Sequence, residues 1–119
     1  MPTEFAAKVF ALVDATDAAG FSRLFTPQGR MRFGNNEPMV GPEEIAAGVG
    51  GFFGTVKGPR HTVVREWYAG ADAVIEELVD YYRLDGETVT IPAATLWHVD
   101  ETGLIDDFRV YFDLAPLFS

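Results

Sequence analysis

Four long runs of β-forming residues dominate the second half of the chain and restrict what it can fold into. They cover 61–68, 73–83, 88–99 and 104–113, and each short segment between them contains Gly and Asp. Connections this short predict a meander of four antiparallel strands. At about 3.3 Å per residue the longest strands reach roughly 35–40 Å, so the sheet must twist and curl to stay covered.

The first half of the chain begins with the spacing of helices. Apolar residues that recur on one side predict a first helix over 4–15. A second, short helix, capped by Thr16 or Asp17, is expected to include Phe25. It should end before Pro27, because the residue that precedes a proline avoids the helical conformation.

A short hairpin and a third helix follow. Residues 28–33 predict a strand, and Asn35-Asn36 favours a turn that folds 37–40 back against it. Pro42 suits the first position of a helix that should end at Gly54. The glycines inside this helix predict close packing or a frayed last turn.

Composition and charge limit the partners of the chain. It has 119 residues, of which 48% are hydrophobic, so it can bury a sizeable core, and its length fits a single domain over 1–119. With 18 acidic and 9 basic residues the net charge is −9. A chain this acidic lacks the field that gathers phosphate backbones or anionic lipids. We therefore expect no nucleic-acid partner and no membrane partner.

The sequence contains no cysteine, which excludes disulfides, thiolate nucleophiles and cysteine-based metal centres. A metal would need His or carboxylate ligands. Because His61 and His98 fall on strand positions of opposite parity, we predict no metal site and no other cofactor. The first residues lack a basic segment followed by a long apolar run, so we expect a soluble, cytoplasmic protein.

The order of the predicted elements points to one family. Two helices, a short hairpin, a third helix and four long strands make an α+β protein whose curled sheet carries three helices on its concave face. The most characteristic segments are Leu24-Phe25-Thr26-Pro27-Gln28-Gly29, Val40-Gly41-Pro42-Glu43-Glu44-Ile45, Arg60-His61 and Gly103 to Asp113. The chain resembles the SnoaL-like branch of the nuclear transport factor 2-like superfamily. The resemblance implies a cone-shaped, antiparallel or mixed sheet in a cystatin-like α+β barrel.

Two enzyme types of this superfamily match the chain poorly. Ketosteroid isomerases use a carboxylate base, a Tyr and a protonated Asp, and the matching positions hold Phe33 or Gly34, Val9 and Thr95. Limonene-epoxide hydrolases use an Asp-Arg-Asp set. Of that set the chain matches only Asp80, with Leu78 and Val110 in the other places. SnoaL-like polyketide cyclases, which use an Asp and a His in an apolar pocket, resemble the chain best.

The resemblance implies that Asp80 points into the cone, and alternation along a strand then fixes its neighbours. Leu78 and Tyr82 would point inward, and Val79 and Tyr81 outward. On the last two strands the inward set would be Ala93, Thr95, Trp97, Phe108, Val110 and Phe112. Such an aromatic cavity suits a small apolar molecule with one or two polar groups.

Asp80 and His61 are the candidate catalytic residues. A carboxylate in an apolar cavity loses its hydration, which favours the protonated form and suits general acid–base catalysis. His61 begins a strand and could share a proton with Asp80. The alternatives are a carboxylate satisfied by a neighbouring side chain and a structural histidine. The candidate ligand-binding residues are Asn36, Tyr82, Thr95, Trp97, Phe108, Val110 and Phe112.

The convex face of the sheet should form an interface. Its predicted residues are Arg65, Tyr81, Arg83, Arg109, Tyr111 and Asp113. Arg and aromatic side chains are typical of protein interfaces, and the resemblance implies that dimers are common among the relatives. We therefore predict a homodimer through this face.

Three functions remain open. The first is a cofactor-free cyclase, isomerase or hydrolase that acts on a small cyclic or polyketide-like molecule, with Asp80 as acid–base and His61 assisting. The second is a non-catalytic module that binds an apolar ligand. The third is an interaction or dimerisation domain whose pocket is filled by Trp97, Phe108 and Phe112.

Overall fold

The computed structural model describes residues 3–118, which form a curved sheet with helices on its concave side. The helices are α1 (Glu4–Asp14), α2 (Ala18–Ser22), α3 (Pro42–Phe53) and α4 (Ala115–Phe118). The strands are β1 (Phe25–Phe33), β2 (Met39–Val40), β3 (Val56–Ala69), β4 (Asp72–Arg83), β5 (Thr88–Val99) and β6 (Ile105–Phe112). Within residues 3–118, every helix is too short or too polar to cross a membrane.

The strands form one mixed sheet in the order β2-β1-β6-β5-β4-β3. Strands β3 to β6 pair antiparallel, which confirms the predicted meander. Strand β1 joins the sheet by parallel pairing with β6, with Met31 opposite Phe108. Because β2 and β3 lie at the two edges, the sheet is an open cone and not a closed barrel. The predicted α+β class is confirmed.

Strand β1 begins earlier than the sequence indicates. We expected Phe25 to lie in the second helix, but α2 ends at Ser22 and Phe25 pairs with Ile105 in the sheet. Pro27 lies inside the strand, where the register with β6 shifts between Phe25 and Arg30. A proline is tolerated at such an irregularity, because the ladder there does not need its missing N–H.

The core lies between the concave face of the sheet and the helices. Val9 of α1, Phe21 of α2 and Ile45 of α3 are fully buried, and they face inward residues of the sheet such as Ile75 and Ile105. Burial alternates along β4 and β5, as it does on a sheet covered on one side. This alternation decides which polar side chains enter the interior.

Candidate functional site

A narrow cavity opens between the helices and the concave face of the sheet. The empty space between its walls is about 490 Å³, a volume that includes the solvent at its opening. The centre of a water molecule fits in only about 40 Å³ of that space. Most of its lining residues are apolar, seven of them phenylalanines, and its polar lining residues are His61, Glu77, Tyr81 and Thr95. No Lys or Arg among residues 3–118 lines it. An apolar cavity with a few polar groups is the usual form of a small-molecule site.

Two clusters of aromatic side chains lie at the cavity wall or directly behind it. In one cluster Trp97 stacks on Phe108 with ring centroids 5.9 Å apart, and it also packs against Phe10. In the other cluster the half-buried ring of Phe33 lies 5.2 Å from Phe52 and 5.2 Å from Phe112, measured between centroids. Trp97 therefore supports the wall from behind Phe108, and the three half-buried phenylalanines are the partly exposed part of the wall.

The predicted orientation of Asp80 is wrong. Its side chain lies on the outer face of the sheet, where the Thr90 hydroxyl donates a hydrogen bond of 2.6 Å to Oδ1. Leu78 and Tyr82, on the same face of β4, are 43% and 38% exposed. The inward face of this strand carries Glu77 and, at the end of the strand, Arg83, whereas the outer face carries Asp72, Glu76 and Asp80. The more apolar face is the one that turns inward.

The other predicted ligand-binding residues divide into three groups. Thr95, Phe108, Val110 and Phe112 lie on the cavity wall, and their role in binding stays a prediction. Trp97 points inward but lies beyond the cavity, packed behind Phe108. The predicted pocket positions of Asn36 and Tyr82 are wrong. Asn36 is exposed in the turn after β1, held by its N–H to the Phe33 carbonyl, and Tyr82 shares the outward parity of Asp80.

Glu77 is the buried acid that the sequence analysis missed. It is 1% exposed, and its Oε1 accepts a hydrogen bond from the hydroxyl of Thr95 on the neighbouring strand. Its Oε2 is buried and has no hydrogen-bond partner among residues 3–118. Burial raises the pKa of Glu77 from 4.5 to about 8, against the opposing effect of the Thr95 hydrogen bond. Glu77 is therefore mostly protonated at neutral pH and able to donate a proton into the cavity.

His61 enters the cavity wall with Asp14 as its partner, so the predicted pairing with Asp80 is wrong. Its ring Nδ1 lies 2.7 Å from Oδ1 of Asp14, the last residue of α1. The backbone N–H of His61 donates to both carboxylate oxygens at 3.1 Å. The ring of Phe10 stacks on the imidazole with centroids 4.9 Å apart. These contacts fix the ring and leave Nε2 without a protein partner among residues 3–118, free for a ligand.

Tyr81 was predicted to face outward, and this is also wrong. It is 3% exposed and lines the cavity on the same face of β4 as Glu77. Burial raises the pKa of Tyr81, and the negative charges of Glu77 and Asp14 raise it further. Tyr81 therefore keeps its proton and offers a hydroxyl group to a ligand.

The sequence itself identifies the family. A sequence profile of the SnoaL-like domain matches residues 6–108. The chain belongs to the SnoaL-like domain family. A search of curated protein sequences found no match.

Solved structures share the fold of this SnoaL-like domain at low sequence identity. A protein of ketosteroid isomerase-like fold from Catenulispora acidiphila, in complex with trimethylamine, is 19% identical with a TM-score of 0.87, over 97% of this chain and 89% of its own. A protein from Jannaschia sp. CCS1, provisionally described as a SnoaL-like polyketide cyclase, is 20% identical with a TM-score of 0.77, over 95% and 88%. TerC, co-crystallised with polyporic acid, is 16% identical with a TM-score of 0.83, over 97% and 92%.

The outer face of this SnoaL-like domain differs in part from the predicted one. Tyr81 and Arg83 do not belong to it, because both have the inward parity of β4. Arg65, Arg109 and Tyr111 are exposed there. His98 lies on this side, with Nδ1 2.7 Å from Oδ1 of Asp106, and that hydrogen bond raises the pKa of His98. Within residues 3–118 no three His, Asp or Glu side chains come together as metal ligands.

Proposed function

We propose that this SnoaL-like domain binds a small, apolar, oxygenated molecule in its cavity and moves protons on it without a cofactor. The observation that carries the proposal is Glu77, a buried carboxyl group in a mostly apolar cavity, whose Oε2 has no hydrogen-bond partner among residues 3–118. A carboxylic acid kept protonated at neutral pH is suited to donate to a carbonyl oxygen.

Two of the polar residues of the cavity, His61 and Glu77, act as base and acid. Asp14 holds Nδ1 of His61, so Nε2 can take a proton, and the Asp14 carboxylate then stabilises the positive imidazolium. Glu77 supplies the proton for the developing charge on the substrate oxygen. Their environments differ: His61 is paired with a half-buried carboxylate, whereas Glu77 is held by one neutral hydroxyl. This difference separates a base from an acid within one cavity.

The simplest reaction is enolisation. Nε2 of His61 takes a proton from a carbon next to a carbonyl, and Glu77 gives its proton to the carbonyl oxygen, which forms an enol. Glu77 then regains a proton from the enol hydroxyl when the product forms. If the imidazolium returns its proton to another carbon, the result is an isomerisation. If the enol carbon instead adds to a second carbonyl of the same molecule, the oxygen of that carbonyl takes the proton from the imidazolium, and the result is a ring closure.

The family and the structural neighbours support a small-molecule site. One neighbour of the same fold is in complex with trimethylamine and another was co-crystallised with polyporic acid. A third carries the provisional description of a polyketide cyclase. A cyclic or polyketide-like substrate fits the aromatic wall around Phe33, Phe52 and Phe112, because such rings stack on flat, apolar molecules.

Deuterium exchange tests the proposal without knowledge of the natural substrate. In D₂O the protein should accelerate exchange of the α-hydrogens of small cyclic ketones, observed by proton NMR. We expect Glu77→Gln and His61→Gln each to reduce the acceleration by roughly 100-fold or more. Asp80→Asn, a carboxylate on the opposite face of the same strand, is the matched control and should change nothing. Exchange no faster than in buffer, or unaffected by Glu77→Gln, would contradict the proposal.

We also propose that a second copy of the chain covers the outer face of the sheet. Apolar side chains are exposed there, among them Trp67 and Leu78 at 49% and 43%. Residues of opposite charge lie beside them on the neighbouring strands β3 and β4 of the same chain. Arg60 is opposite Asp80, and Arg65 is opposite Glu76. A face that carries both signs in a chain with net charge −9 can meet its own copy across a two-fold axis without the repulsion of two purely acidic surfaces.

A further inference from the structure

We infer that the cavity also binds a small organic ammonium ion, held by the carboxylate of Glu77 among the aromatic rings. This inference rests on the proposed role of the cavity as a ligand site, but it does not need turnover. The ion is a second class of ligand, distinct from the neutral carbonyl compound. It would compete with that substrate for Glu77.

The buried oxygen of Glu77 is the first observation behind it. Glu77 is 1% exposed, and Oε2 lies inside the protein with no hydrogen-bond partner in the described part of the chain. Buried polar atoms nearly always have a partner, and an exception needs an explanation. An ammonium N–H supplies the missing donor and also the charge that stabilises an ionised carboxylate. A tertiary amine is the simplest such ion, because its single N–H is satisfied by Oε2 alone.

The walls of the cavity are the second observation. Phe10, Phe21, Phe52 and Phe108 belong to the lining, and the faces of aromatic rings attract alkylated ammonium groups. The alkyl substituents of a tertiary amine would pack on these rings, while its N–H reaches Oε2.

The charges around Glu77 also favour a cation. The other titratable groups are Tyr81 on β4 and His61 on β3, with Asp14 of α1 behind His61. Thr95 is the polar contribution of β5. The lining residues from α2, α3, β1 and β6 are all apolar. With no Lys or Arg among the described lining residues, an anion finds no counter-charge, whereas a cation finds a carboxylate.

Binding of the ion must release a proton. In the empty cavity the pKa of Glu77 is about 8, so the acid is protonated at pH 7. When the ammonium ion enters, the carboxyl group loses its proton to solvent and an ion pair remains. The affinity for the cation should therefore rise about tenfold per pH unit up to about pH 8. A neutral ligand that accepts a hydrogen bond from the protonated acid should bind more weakly above that pH.

A matched pair of probes separates the two ligand classes. Triethylammonium is the cation, and 3-ethylpentan-3-ol has the same shape with carbon in place of nitrogen and a hydroxyl group in place of the N–H. Calorimetric titrations from pH 6 to 9, in buffers of different ionisation enthalpy, measure affinity and proton release together. We expect tighter binding of the cation at pH 9, and release of close to one proton per bound cation at pH 7.

Two variants assign the effect to Glu77. Glu77→Gln should weaken binding of the cation roughly tenfold or more, remove the proton release and leave the alcohol bound. Asp80→Asn should leave both probes unchanged. Cation binding that is equally strong in Glu77→Gln would overturn the inference, as would an alcohol that binds while the cation does not at millimolar concentration. If neither probe binds, the inference and the ligand cavity fail together. If the cation binds but ketones show no exchange, only the catalytic proposal fails.

Discussion

Glu77 makes the stability of the fold depend on pH. The pKa of Glu77 is raised from 4.5 to about 8 in the folded chain. Below pH 4.5 the folded and the unfolded chain both keep the proton. Between these two values the unfolded chain releases it and the folded chain does not, so ionisation favours unfolding. The contribution of Glu77 to the free energy of unfolding is therefore fully present below pH 4.5 and is lost as the pH rises through about 8.

The variant Glu77→Gln should remove this dependence. Relative to the wild type, its free energy of unfolding should increase between pH 5 and pH 9, by up to about 5 kcal/mol for a shift of this size. Urea denaturation at a series of pH values measures the difference. Asp80→Asn, with its carboxylate on the outer face, serves as the control and should show no such trend. A difference between wild type and Glu77→Gln that stays constant from pH 5 to pH 9 would contradict a buried, protonated Glu77.

Single residues also show how much of the site could be predicted from the sequence. His61 was predicted from its place at the start of a long strand, but its partner could not be, because Asp14 lies 47 positions away and meets it only after α1 packs on β3. The inward position of Glu77 could have been predicted from the sequence. Of the two alternating sets on β4, the one that contains Glu77 carries fewer charges, and the family-based choice of Asp80 overrode that signal.

At the scale of elements, the turns and periodicities predict the helices and the antiparallel meander, since both depend on neighbours in sequence. The parallel pairing of β1 with β6 joins segments far apart in the chain, so no local pattern indicates it. Phe25 shows the same limit. Its sequence neighbours favour a helix, and its partner Ile105 places it in the sheet.

Helix α3 has glycines of two kinds. A Cβ added at Gly48 would collide with the sulfur of Met39 on β2, whereas one added at Gly51 would meet nothing within 4 Å. The prediction of close packing is thus confirmed for Gly48 only. Gly51→Ala should raise the free energy of unfolding by about 0.5–1 kcal/mol, because alanine stiffens the unfolded chain. Gly48→Ala should gain less than Gly51→Ala or destabilise the protein. Thermal or urea unfolding of the two variants measures this, and equal stabilisation would contradict the packing of α3 on β2.

At the scale of the whole molecule, the two faces of the sheet have different chemistry. The concave face is apolar with Glu77 and His61 set into it, and the outer face mixes exposed apolar side chains with charges of both signs. One face suits a ligand, and the other suits a second copy of the chain. The sequence predicted an apolar concave face and a mixed outer face, but it assigned β4 to the wrong side; the ligand and the second copy stay predictions.

Dimerisation should depend on the outer face alone. Light scattering after size exclusion should give the mass of a dimer at micromolar concentration, and Leu78→Arg should reduce it to that of a monomer by placing a desolvated charge in the interface. Leu84 is 62% exposed in the turn after β4, so Leu84→Arg is the matched control and should remain dimeric. A wild-type protein that is monomeric at this concentration would rule out the interface.

The most direct measurement of the central claim is the titration of Glu77 itself. Carbon-13 NMR of glutamate side-chain carboxyl groups follows each acid separately, and the spectrum of Glu77→Gln identifies the signal. We predict that this carboxyl group titrates near pH 8, far above the ordinary value of 4.5. A Glu77 signal that titrates near 4.5 would show an ionised, hydrated carboxylate and would contradict both its burial and its role as the acid of the cavity.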